Sequence, residues 1–411
     1  MTSTSLQNPK FHMGDNTLLV SAGRHPERFN GLVNTPVFRG STILSSSLAD
    51  WEDKKRRSMA DEHGVSTYGR FGTPTHHALE EAMAELEGGY RAVLCPSGLA
   101  AAVTALTAVL SAGDHVLVTD SAYSPTRTFL TRVLGRYGVE VTPYDPCVGA
   151  DISQLLKPNT KVVYVESPGS ETFEIQDVPA IAEAAHAHGA LVVMDNTWGT
   201  PLFFKPFKHG VDISIQAATK YIVGHSDAML GIVTCTKAVW PRLKQTSRDL
   251  GQTAGPDDVY LALRGLRTMG VRLQQHSTSG IQVAQWLAGR PEVEAVMHPA
   301  LPDHPGHALW KRDFTGACGL FAMALKKMPA AAFESFIDSL QLFGLGVSWG
   351  GYESLVIPFT PGDRTTQRWS YEGQAVRLHI GLENAEDLIN DLDQAFAASA
   401  AVKTMPLKLI A

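Results

Sequence analysis

The sequence predicts an α/β protein, with a mostly parallel sheet covered on both faces by helices and a smaller α+β unit after it. Three observations predict it. From residue 90 to about 235, short apolar runs alternate with helical stretches, the punctuation of repeated βαβ units. The runs at 161–165 and 191–194 are apolar almost throughout rather than alternating, as strands buried on both faces are. Beyond a helix-rich stretch at 257–287 the pattern changes: 319–325 and 376–380 read as strands, and 331–340 and 385–397 as helices.

Taken in order, residues 1–72 have mixed polarity, little periodicity and a charged run from Glu52 to Arg57. They read as an arm over a neighbouring subunit's surface, or as a solvated leader. Thr73-Pro74 then opens a helix, threonine as N-cap and proline in the first turn, with Leu79, Met83 and Leu86 on one face and Gly88-Gly89 as the stop. Val93-Leu94 leads into a helix at 99–110, a strand follows Gly113 at 115–119, and a helix starting near Pro179 ends at Gly189. The expected division is an arm (1–72), a large domain (73–266) and a smaller C-terminal domain (267–411). Ligands of such a sheet collect in the loops at the carboxyl ends of its strands.

Composition narrows the function. A chain of 411 residues, 44% apolar and 18% charged, has ample material for a core. Its net charge of −6, without a basic block, argues against nucleic acid. No signal-peptide pattern opens the sequence, and no apolar run approaches the roughly 20 residues that span a bilayer, so a cytoplasmic location without a membrane partner is expected by default. Cys95, Cys147, Cys235 and Cys318 lie far apart with no CxxC pair, so neither a zinc site nor a disulfide framework is suggested, and they read as reduced, mostly buried residues.

The most informative stretch runs from Asp212 to Asp227, where an apolar strand ends in small residues, then Thr219, then Lys220. A lysine where a strand meets its loop must be solvated, paired or chemically employed, because burying a bare ammonium is costly. It could pair with Asp227. Covalent attachment to pyridoxal 5′-phosphate (PLP) would equally remove the charge, and would leave a base beside the reacting carbon once substrate displaced it. Asp195 ends the preceding apolar strand, near the same sheet edge. It could cap its own turn, or hold the PLP ring nitrogen protonated. Cys95-Pro-Ser97-Gly98-Leu99, between strand and helix, is an ordinary capped turn or a phosphate cradle at a helix N-terminus. Tyr123, after the strand ending at Thr119, could pack in the core or lie flat on a planar cofactor.

With these residues assembled, the chain resembles the Cys/Met-metabolism family of PLP enzymes, most closely its enterobacterial-type cystathionine β-lyases. The motifs are Thr67-Tyr68-Gly-Arg70-Phe-Gly-Thr-Pro-Thr75, Ser97-Gly98-Leu99, Glu166-Ser-Pro-Gly-Ser170, Asp195-Asn-Thr-Trp198, the lysine stretch, Ser348-Trp349-Gly-Gly-Tyr-Glu-Ser354 and Val376-Arg377-Leu-His-Ile-Gly-Leu-Glu383. The resemblance implies a type I, aspartate-aminotransferase-like fold and a homotetramer built from two catalytic dimers. It makes Lys220 the Schiff-base lysine, Asp195 the partner of the pyridine nitrogen and Tyr123 the stacking ring, with Tyr68 and Tyr123 near the proton transfer. Gly98, Leu99 and Thr219 would surround the phosphate, and Tyr68 and Arg70 would reach the phosphate of a partner subunit's PLP. Arg377, which alone could be an exposed strand arginine, would fork onto the substrate α-carboxylate, with Ser348 and Trp349 lining the same pocket and Tyr68 near it.

The activity so implied is β-elimination of L-cystathionine to homocysteine, pyruvate and ammonia, a step of methionine biosynthesis. Cysteine desulfhydrase or cysteine-conjugate β-lyase activity needs no different residues. Relatives acting at the γ-carbon often carry glutamate before the serine matching Ser348, where this chain has Val347, and methionine γ-lyases have cysteine where it has Pro125. A non-catalytic protein on the same fold could dispense with Lys220 or Asp195, and both are retained. Two departures from the family are Ala218, where serine is common, and Ser170, where asparagine is.

Overall fold

The computed structural model describes residues 13–360, 364–366 and 369–404. Seven strands, β1 (Arg91–Cys95), β2 (His115–Thr119), β3 (Glu140–Tyr144), β4 (Thr160–Glu166), β5 (Leu191–Asp195), β6 (Ile213–Ala217) and β7 (Gly231–Cys235), form one sheet in the order β1-β7-β6-β5-β4-β2-β3. β7 runs antiparallel to both of its neighbours, and the other neighbouring pairs are parallel. The unbroken apolar runs have the cause expected of them. On β4, Val163 and Val165 face one core while Val162 and Tyr164 face another; on β5, Val192 and Met194 oppose Val193 in the same way. Helix Gly98–Val109 follows β1, its side-chain N-cap provided by Ser97, and Val178–His188 precedes β5 and closes at Gly189 in a left-handed conformation.

A second sheet contains β8 (Val293–Met297), β9 (Leu320–Leu325), β10 (Gly344–Leu345), β11 (Leu355–Phe359) and β12 (Ala375–His379), in the order β10-β11-β12-β9-β8. Helices Ala330–Asp338 and Ala385–Thr404 cover it, with Phe336 stacked on Phe396. The helix-rich stretch after the first sheet is one 33-residue helix, Pro256–Ala288, about 50 Å long. Val259 to Leu273 on it belong to the core of the first sheet, and Val283 to Leu287 to that of the second. Position 266, the expected domain junction, lies within this helix.

The segment before residue 73 holds helices that its sequence does not announce, Asp15–Ser21 and Leu48–Met59. Leu48–Met59 buries none of its residues in the chain, and Leu48, Trp51 and Met59 leave a sparse apolar face exposed. Local bonds hold it instead: Ser47 Oγ accepts from Asp50 N–H at 3.1 Å, and Lys54 pairs with Asp50 at 3.0 Å. Among the described residues no helix is long and apolar enough to cross a membrane. Cys95, Cys235 and Cys318 are buried and Cys147 is exposed.

Candidate active site

A cavity of about 370 Å³ opens where the carboxyl ends of β1, β2, β4, β5 and β6 meet the edge of the second sheet. Parallel strands all deliver their loops to this one rim, so residues far apart in sequence converge there. Gly98, Leu99, Tyr123, Asp195, Thr219, Lys220, Ser348, Trp349 and Arg377 all line it. The alternatives left open by sequence are thereby decided for two of them. Lys220 Nζ donates to Ser348 Oγ at 2.5 Å, 128 residues away, rather than pairing with Asp227. Arg377 is a half-buried wall residue, not an exposed strand arginine, and its Nη2 donates to Ser348 O at 3.1 Å. Tyr68 and Arg70 are not at this cavity. Tyr68 is exposed, and Arg70 donates to Arg248 O at 2.9 Å while its guanidinium lies over Phe71.

The electrostatics are those of enclosure. Loss of hydration, reinforced by Arg377, lowers Lys220 to about 8 against the opposing pull of Asp195. Burial also raises the Asp195 carboxyl, though Thr197 restrains it by donating twice to Oδ1, from Oγ1 at 2.6 Å and from N at 3.0 Å. Glu166 is paired with Asp195 across β4 and β5. Burial and the Asp195 charge together hold its carboxyl well above the ordinary range, and Oε2 accepts the Tyr123 backbone N–H at 2.8 Å. Tyr123 itself is raised by burial and then by Glu166.

Backbone form supports these contacts at two glycines. A Cβ on Gly98 would stand 2.5 Å from Ala217 Cβ, so only glycine lets the helix start lie against the end of β6. Gly350, at φ +89°, passes so close to Lys220 that a Cβ would meet its Cα at 2.8 Å. Ser348 adopts φ +92°, a conformation that costs a non-glycine residue on the order of 1–3 kcal/mol and places its Oγ on Lys220.

Sequence reasoning missed several contributors. Glu166 and Thr197 stood inside family motifs but received no role. Arg364 had no signal at all. Arg364 Nη2 donates to Ser170 O at 2.6 Å and Thr172 Oγ1 at 2.9 Å, Nη1 donates to Asp120 O, and Thr365 and Thr366 N–H groups both bind Asp120 Oδ2 at 2.7 Å. A segment between β11 and β12 thus clasps the loops that follow β2 and β4. Trp198 Nε1 donating to Leu320 O at 3.0 Å ties the two sheets at the cavity wall.

These groups fit PLP. Gly98 and Leu99 open the first turn of a 12-residue helix, whose leading N–H groups have no intrahelical acceptor and suit a phosphate. An enclosed carboxylate, a lysine of lowered pKa and the exposed Tyr123 ring supply the remaining contacts that a pyridinium aldehyde needs.

Residues 16–397 match the Cys/Met metabolism PLP-dependent enzyme family. The chain is 46% identical to Cystathionine beta-lyase MetC of Escherichia coli (strain K12), over 93% of this chain and 98% of that protein. It is 46% identical to Cystathionine beta-lyase of Bordetella avium, over 93% and 96%. Its fold superposes on the crystal structure of metB from Corynebacterium glutamicum with a TM-score of 0.85 and 31% identity, covering 94% of this chain and 98% of that one.

Proposed function

Because the chain belongs to the Cys/Met metabolism family of PLP-dependent enzymes, we propose that the cavity around Lys220 performs β-elimination of L-cystathionine, giving homocysteine, pyruvate and ammonia. The observation that carries this reading is the convergence of a lysine lowered to about 8, an enclosed aspartate and an arginine in one cavity. The bound cofactor supplies a ring that accepts electrons from the carbon that loses its proton. The chain's own residues do the rest. Arg377 forks onto the substrate α-carboxylate and sets the direction in which Cα lies. Lys220 Nζ, neutral in a sizeable fraction near pH 8, takes the Cα proton. The Cβ–S bond breaks and the departing thiolate takes up a proton, which Lys220, or Tyr123 beside it, is placed to return. The remaining three-carbon enamine is hydrolysed to pyruvate and ammonia.

Asp195 would hold the proton on the cofactor's ring nitrogen, with Thr197 fixing its Oδ1. Tyr123, whose backbone is held by Glu166, would cover one face of the ring. Gly98, Leu99 and Thr219 would receive the phosphate. Ala218, fully buried without a hydroxyl, leaves that task to Thr219 and the helix N–H groups. Ser348 orients Lys220, and Trp349, 5.3 Å from its Nζ, excludes water. Val347, largely exposed beside Ser348, offers no carboxylate to a substrate amine, which favours cleavage at the β-carbon.

Tyr68 and Arg70 act in a partner subunit's cavity on this reading, and the enzyme is a cytoplasmic homotetramer of two catalytic dimers, with neither nucleic acid nor membrane as partner. Leu44, Leu48, Trp51 and Met59 support that assembly, because each is an apolar side chain at least half exposed in the single chain.

Incubation with L-cystathionine is expected to release pyruvate and homocysteine in equal amounts. Formation of 2-oxobutyrate and cysteine would replace this reading with γ-cleavage. The pH dependence of cofactor capture follows from Lys220. Only the neutral amine attacks an aldehyde, and the amine is neutral above its pKa, so PLP uptake by the cofactor-free protein should accelerate with rising pH and level off near pH 8. A rate still rising steeply at pH 10 would show an ordinary lysine.

A further inference from the structure

Some distance along the chain from the cavity residues, two histidines and a glutamate converge with no part in the chemistry above. His77 and Glu80 lie one turn apart on helix Pro74–Glu87, and His63 approaches from the loop before it; one ligand atom from each lies within 4.8 Å of the others. All three are half-buried and line one cavity, and a second cavity touches the two histidines. We propose that His63, His77 and Glu80 form a site for one divalent transition-metal ion of the zinc class, which staples the loop at 61–66 to helix Pro74–Glu87.

The geometry points to a metal more than to packing. His77 Nδ1 and Glu80 Oε2 are 3.1 Å apart. Two ligands at about 2.0–2.1 Å from a tetrahedral zinc stand about 3.3 Å apart, so this pair already spans one edge of a coordination tetrahedron. The His63 ring lies edge-on to that of His77, 5.4 Å between centroids, and its ligand atom, within 4.8 Å of the others, must come nearer by up to about 1.5 Å to complete a third corner. Asp61, held by Trp240 Nε1 and Lys244 Nζ, anchors one side of that loop, and exposed Gly64 at φ +81° gives the other side its freedom. Burial lowers the His63 imidazole against the opposing pull of Glu80, which disfavours its protonated form. Ser66 Oγ, 3.2 Å from His77 Nε2, is the second-shell partner that fixes ring orientation in such sites.

Two imidazoles and one carboxylate leave a fourth position for water. The charges around the three ligands are mixed: Arg91 opposes a cation, whereas Glu81, which is paired with His25, favours it. The ion also closes the loop that leads to Tyr68 and Arg70.

The test is a titration of tag-free holoenzyme with Co²⁺, read as the strong visible bands of four-coordinate cobalt beyond the cofactor's own absorption. One equivalent per chain is expected, with affinity falling at least about tenfold in His63→Ala and in Glu80→Gln. It should stay unchanged in Cys147→Ser. Zn²⁺ should raise the melting temperature of the wild type and leave that of His63→Ala where it was. Retained turnover and cofactor absorption in His63→Ala would show that the variant is folded. The proposal is overturned by the absence of four-coordinate bands, by binding that survives in folded His63→Ala, or by binding lost only in Cys147→Ser.

Discussion

A Lys220→Ala protein is expected to lose at least about a thousandfold in kcat, together with the visible absorption of the cofactor as it is bound in the wild type. Two contributions combine at this one atom. General-base catalysis by a positioned group gives roughly 10²–10⁴-fold, and covalent holding of the cofactor adds to it. The substitution also leaves Ser348 Oγ without its donor while leaving the fold intact, because Lys220 faces a cavity rather than a core. Absorbance and single-turnover kinetics at pH 8 measure both losses. A variant that kept turnover would remove Lys220 from the chemistry, and one that kept the visible band but lost turnover would leave it the base alone.

For Arg377→Leu, kcat/KM should fall by a factor between about 30 and several thousand, corresponding to roughly 2–5 kcal/mol for truncating one partner of a buried, hydrogen-bonded charge pair. Arg377 is half-buried, loses hydration there, and holds the strained Ser348 turn through Ser348 O. The substrate carboxylate would therefore face neither water nor a cation. Arg377→Lys keeps the charge and loses the fork, so it should recover only part of the loss. Steady-state kinetics on both variants, with cofactor absorption as a control for the fold, measures the effect. Unchanged KM in Arg377→Leu would show that the carboxylate binds elsewhere, while a lost cofactor band would show that the arginine chiefly holds the turn.

The two variants probe residues that were read from sequence with different success. Lys220 was conspicuous because an ammonium closing an apolar strand must be solvated, paired or employed, whereas Asp195 alone could have capped its own turn. Arg377 had an ordinary explanation within its own strand, and only the family resemblance gave it a role. Thr197 stood in the Asp195 motif without a role, since a threonine two residues after an aspartate is unremarkable until its Oγ1 is seen on Oδ1 at 2.6 Å. The Arg364 clasp joins residues 194 positions apart, a separation that no local pattern encodes. Helix Leu48–Met59 was missed for a different reason: its apolar residues Leu48, Trp51 and Met59 are sparse beside the charged run between them, and none is buried within the chain.

By itself, then, the sequence determined the layered α/β architecture, the strand ends that carry Lys220, Asp195 and Tyr123, and the cofactor those residues suit. These are consequences of apolar runs, small residues and charges that act over a few positions along the chain. Tertiary structure alone decided which side chains share the cavity, that Lys220 meets Ser348 instead of Asp227, and that Glu166 stands against Asp195. It also brought His63 to His77 and Glu80. The reason is physical: hydrogen bonds and desolvation act through a few ångströms of space, and the chain reaches those distances only after parallel strands have carried remote loops to one rim.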